Sequence, residues 1–160
     1  MAEEVLRNTD IVKRRIDTKA KPDRMLVVPS GKLKNVTKLY WVGPPIRTPE
    51  ASVAVEDFAP GSTVQWIFDY TEVQYILSGK AEITYRLAPL YVEEKTFTAE
   101  AGDVYVIPKG AVLEYKIDPS GPYRKLNVIM PGFRPDLYLA SISKELRDSV
   151  YKEGEKIDYE

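Results

Sequence analysis

Two stretches with glycine at fixed offsets most constrain this 160-residue chain. The first, Gly61 to Gly79, reads G-S-T-V-Q-W-I-F-D-Y-T-E-V-Q-Y-I-L-S-G and places six residues between Glu72 and Gly79. The second, Gly102 to Ile117, reads G-D-V-Y-V-I-P-K-G-A-V-L-E-Y-K-I, with five residues between Gly102 and Pro108 and a Pro-Lys-Gly turn after them. β-Branched and aromatic runs bounded by Gly and Pro read as short strands. The same texture gives strands at 25–28, 37–42, 52–58, 63–68, 72–77, 80–87, 95–98, 104–107, 112–117 and 124–130. Many short strands with almost no helix between them point to an all-β closed barrel or sandwich, with a jelly roll the natural choice.

The ends differ from the middle. Residues 1–24 are polar and charged and read as an N-terminal arm, with Val5, Ile11, Val12 and Ile16 able to share one stripe. Residues 25–133 form the single barrel domain. In residues 134–160, Leu137, Leu139, Ala140, Ile142, Leu146 and Val150 fit a C-terminal α-helix that starts after Pro135, and the last residues read as a frayed tail.

The chemistry is bounded by what is missing. The chain holds no histidine and no cysteine, so disulfides, Ser-His-Asp and Cys-His catalysis and imidazole or thiolate metal ligands are all excluded. We expect no bound metal and no cofactor. Lys and Arg number 23 against 24 Asp and Glu, and a net charge of -1 supplies no field to attract nucleic acid or an anionic membrane. No apolar run reaches spanning length and the N-terminus lacks a signal-peptide core, so a cytoplasmic protein is expected. There is no G-x-G-x-x-G and no P-loop.

The two glycine-framed segments resemble the paired motifs of the cupin superfamily, whose fold is a jelly-roll β-barrel. Glu72 and Gly79 stand at the spacing of the first motif, and Gly102, Pro108 and Gly110 at that of the second. Trp66 and Phe68 occupy the H-x-H positions and Leu113 the later histidine position, so the metal ligands of relatives are replaced. Within the superfamily the chain is most similar to the ethanolamine-utilisation EutQ type. The arm reads as a flexible or surface-wrapping segment; the resemblance implies a barrel ligand site and a homodimer and offers two alternatives, exchange of the arm between subunits and acetate kinase-type phosphoryl transfer.

The resemblance together with strand alternation locates a candidate site. If Trp66 and Phe68 point inwards, Gln65, Ile67 and Asp69 point away, and Leu113, Tyr115 and Ile117 share the inner face of a later strand. The expected site is an apolar pocket walled by Trp66, Phe68, Leu113 and Tyr115 with Glu72 as its one assured carboxylate. Tyr70, Gln74 and Tyr85 complete the substrate-binding set. Glu72, Tyr115 and Tyr105 are the catalytic candidates. A carboxyl among apolar walls holds its proton and so suits acid–base work near neutral pH, and a phenol can orient a substrate oxygen in place of a metal. Two other outcomes stay open: Trp66 and Phe68 fill the barrel, leaving a non-catalytic binding or scaffold protein, or the chain transfers phosphoryl groups. The favoured expectation is metal-independent binding of a small carbonyl, sugar-derived or aromatic acid molecule, with lyase, isomerase or dehydratase chemistry.

Overall fold

The computed structural model describes residues 11–28, 37–131, 151–154 and 156–159. The chain is all-β: among these residues there is no helix, and hence none able to cross a membrane. Its strands are β1 Arg24–Val28, β2 Thr37–Arg47, β3 Ser52–Phe58, β4 Thr63–Ile67, β5 Thr71–Ser78, β6 Lys80–Arg86, β7 Lys95–Glu100, β8 Val104–Ile107, β9 Val112–Ile117, β10 Tyr123–Met130 and β11 Tyr151–Glu153.

Their pairing nests like a long hairpin rolled on itself. β6 pairs with β7, β5 with β8, β4 with β9 and β3 with β10, all antiparallel, and this nesting is the jelly-roll topology the sequence predicts. Two sheets result, of order β11-β1-β2-β3-β10-β5-β8 and β4-β9-β6-β7. Each strand alternates between a face that meets the opposite sheet and one that does not. The interior is built on Phe58, Phe68, Ile76, Ile83, Leu113, Tyr115, Ile117 and Tyr123, all buried. Removing each such side chain from water contributes about 1.5–3 kcal/mol.

Glycines close the turns. Gly79 joins β5 to β6 with φ 87°, and a Cβ there would lie 2.3 Å from the Pro122 carbonyl oxygen, so no other residue fits. The Pro-Lys-Gly turn reaches back to the first motif: the Gly110 amide donates to the Phe68 carbonyl at 2.6 Å and the Phe68 amide to that of Ala111 at 2.9 Å. The two glycine-framed segments are thereby one hydrogen-bonded unit, which fixes where Phe68 points.

Two expectations change. β2 does not stop before Gly43 but runs on to Arg47, because Gly43, at φ 70°, and the two prolines after it form a bulge that slips the register with β3 between Val42 and Ile46. The arm residue Ile16 packs on that bulge, and Arg24 Nη1 donates to the Gly43 carbonyl at 2.8 Å. The tail is not frayed: β11 pairs with β1, and Tyr159 packs edge-on against Tyr40 at 5.0 Å and bonds Asp57. Most of the expected C-terminal helix, and the first part of the arm, lie outside the described residues.

Candidate functional site

The inner face of the larger sheet and the β4 side of the smaller one leave a hollow between them. Its polar floor comes from strand alternation on three neighbouring strands. Ser52, Ala54 and Glu56 of β3, Lys125, Asn127 and Ile129 of β10, and Glu72 and Gln74 of β5 all point the same way, in cross-strand rows. Trp41 and Arg47 of β2 add to one side, and Trp66, Phe68 and Tyr70 form the opposite wall. The hollow measures about 30 Å³, two to three water positions, so it is not filled by Trp66 and Phe68.

Glu72 is buried at the edge of this floor. Gln74 Nε2 donates to its Oε2 at 2.5 Å. Burial in apolar surroundings, and then the neighbouring Glu56 carboxylate, push the Glu72 carboxyl up to about 8, while the Gln74 hydrogen bond and the Lys125 ammonium pull the other way. The carboxyl therefore carries a proton at neutral pH. Glu56 itself is ion-paired with Lys125 Nζ at 3.1 Å, and that ammonium, fully buried, lies 3.3 Å from the centre of the Phe58 ring. The site thus has two carboxyl groups where one was expected.

Behind Gln74 lies a chain of phenols. Tyr105 OH donates to Gln74 Oε1 at 2.5 Å and accepts from Tyr123 OH at 2.8 Å, while Tyr115 OH donates to the same Oε1 at 3.4 Å. Burial drives all three phenols well above their ordinary value, so they remain protonated donors. This arrangement turns the Gln74 amide so that its NH2 faces Glu72.

The candidate residues fall into separate places. Glu72, Gln74, Trp66, Phe68 and Tyr70 line the hollow together, and Trp66 Nε1 donates to Tyr70 OH at 3.1 Å. Tyr105 and Tyr115 stand behind Gln74, separated from the hollow by it. Leu113 is buried in the core beside Trp66, its cross-strand partner, and does not wall the hollow. Tyr85 packs edge-on against Phe97 at 5.8 Å, away from Glu72. Sequence reasoning missed Trp41, Arg47, Glu56, Lys125 and Asn127. The one available signal was the pairing of β3 with β10, which alternation alone does not supply.

A metal of the kind cupins carry does not fit these residues. Indole, phenyl and isobutyl groups at Trp66, Phe68 and Leu113 offer no donor atoms, and among the described residues no three His, Cys, Asp or Glu side chains converge.

Comparison with known proteins agrees with this architecture. The family profile described as EutQ-like cupin domain matches residues 54–126. The structure of the Clostridium difficile EutQ protein is 18% identical with a TM-score of 0.46, over 74% of this chain and 81% of that one. A DUF861 family protein from Thermotoga maritima is 30% identical over 46% of this chain and 73% of that one, with a TM-score of 0.38. CapF, solved with the inhibitor 3-isopropenyl-tropolone, shares the fold at 20% identity and a TM-score of 0.50, over 70% of this chain and 32% of that one. No curated protein sequence matches this one.

Proposed function

This chain belongs to the cupin superfamily, with a EutQ-like cupin domain, and from that premise we propose that it binds a small organic molecule in the hollow and moves a proton on it without a metal. The chemistry is that of a lyase, isomerase or dehydratase. The observation that carries this reading is Glu72: a protonated carboxyl facing an open hollow, oriented by Gln74 at 2.5 Å, and kept from ionising by burial beside Glu56. A group poised in this way gives its proton to a substrate oxygen and takes one back from carbon or water within the same turnover. Gln74 occupies Oε2, which leaves the other carboxyl oxygen to act. The phenols behind Gln74 position it and do not touch substrate.

The test works on a panel of compounds. Small carbonyl compounds, sugars and 2-hydroxy acids are incubated with the protein in deuterium oxide, and deuterium entry at carbon is followed by proton NMR. The wild type washes deuterium into at least one of them, with and without a chelator, and Glu72→Gln slows this by about 10²–10⁴-fold with the fold retained. Because the reacting form is protonated, the rate holds below about pH 8 and falls above it. Absence of exchange across the panel, or exchange that a chelator stops, overturns the reading.

A further inference from the structure

The hollow has a second pole, opposite Glu72, that proton transfer leaves unused. Arg47, Ser52, Ile129 and Glu72 form a single row across β2, β3, β10 and β5. Three strand spacings put the Arg47 and Glu72 backbones about 14 Å apart. Both side chains line the hollow. In the next row Ala54, Asn127 and Gln74 are partners, and the small Ala54 leaves the Asn127 amide uncovered on that side. Asn127 is 1% exposed, lines the hollow, and its Oδ1 accepts no hydrogen bond. A buried carbonyl of this kind is destabilising unless something in the cavity donates to it.

We propose that the hollow is built for a two- or three-carbon hydroxycarboxylic acid, its carboxylate against Arg47 and its hydroxyl donating to Asn127 Oδ1. Each part follows from chemistry in place. A guanidinium fork matches a carboxylate in geometry and charge, and its five N–H donors allow it to hold a protein partner and a ligand together. Lys125, the other cation of the floor, is ion-paired with Glu56 at 3.1 Å, whereas Arg47 lines the hollow itself. A cavity of about 30 Å³ admits a short acid and no sugar or ring. The uncovered acceptor selects a ligand with an O–H over one without. This inference rests on the proposed proton transfer for its biological sense, since it sets the acid's carbon chain between Arg47 and Glu72, but it concerns binding and is tested without turnover.

Both tryptophans of the chain, Trp41 and Trp66, line the hollow, so tryptophan emission reports occupancy directly. Glycolate, its neutral counterpart glycolamide, and acetate are titrated against the wild-type protein at pH 7, with calorimetry as a second readout. Glycolate binds at least about tenfold tighter than glycolamide and several-fold tighter than acetate. Arg47→Gln abolishes the preference for glycolate over glycolamide, and Asn127→Leu abolishes the preference over acetate. Equal affinity for glycolate and glycolamide, or no binding of glycolate, overturns the proposal even if Arg47→Gln does not fold, because that comparison uses the wild type alone. If glycolate binds as described while no compound exchanges deuterium, the proton-transfer reading falls and the binding site stands.

Discussion

At the residue scale the protein spends stability to keep one carboxyl protonated. The Glu72 carboxyl sits at about 8 in the fold against 4.5 for an ordinary glutamate, so the folded chain binds this proton more tightly than the unfolded one. The resulting stabilisation is fully present below pH 4.5, shrinks as the pH rises, and is gone above about 8. The groups that set this balance are Glu56, which opposes ionisation, and Gln74 and Lys125, which favour it. Thermal melts of the wild type therefore decline between pH 5 and 9, by up to roughly 5 kcal/mol in unfolding free energy. Glu72→Gln, with nothing to titrate there, gives a flatter curve over the same window, and parallel curves would refute the assignment. Glu72 was legible in the sequence because motif spacing singles it out. Its neighbours were not, for a physical reason: along β10 the residues facing the hollow are Lys125 and Asn127, while Leu126 and Val128 face the other way. The expectation that apolar side chains face inwards turns that strand over.

At the scale of elements, the two motifs act as turns first and as a site second. Gly79 and Gly102 share a left-handed backbone, φ 87° and 95°, yet differ in surroundings: a Cβ at Gly79 would collide with the Pro122–Tyr123 backbone, whereas at Gly102 nothing lies within 4 Å. Gly102→Ala should cost about 1–2 kcal/mol, the conformational term alone. Gly79→Ala should cost several kcal/mol or prevent folding, and urea titration separates the two. Strand positions were read well from the sequence because turn residues punctuate nearly every one. The exception is instructive. Gly43-Pro44-Pro45 reads as a stop, yet it is a bulge inside β2, and Arg47 reaches the hollow only because the strand resumes beyond it. A bulge and a terminator use the same residues, and only the partner strand distinguishes them.

At the scale of the molecule, the back of the larger sheet ties the ends of the chain together. Arg124 grips Asp57 with two hydrogen bonds of 2.7 Å and the Thr18 carbonyl with a third of 2.6 Å, while Tyr159 OH donates to Asp57. The Ile157 amide donates to the Pro22 carbonyl at 2.8 Å, and the Gly154 amide to that of Asp23 at 2.9 Å. Tyr159→Phe removes one donor from a buried carboxylate and should lower stability by about 1–3 kcal/mol, which for a chain of this size is a fall of roughly 2–12 °C in Tm by calorimetry. An unchanged Tm would mean that the tail contributes no more than its ring.

Asp57 and Arg124 each follow or precede by one position a residue of the hollow's floor, Glu56 and Lys125, so the clasp and the pocket are opposite faces of the same two strands. A label or fusion attached beyond Tyr159 therefore lies one sheet's thickness from the hollow, held on the reverse of the very strands that floor it.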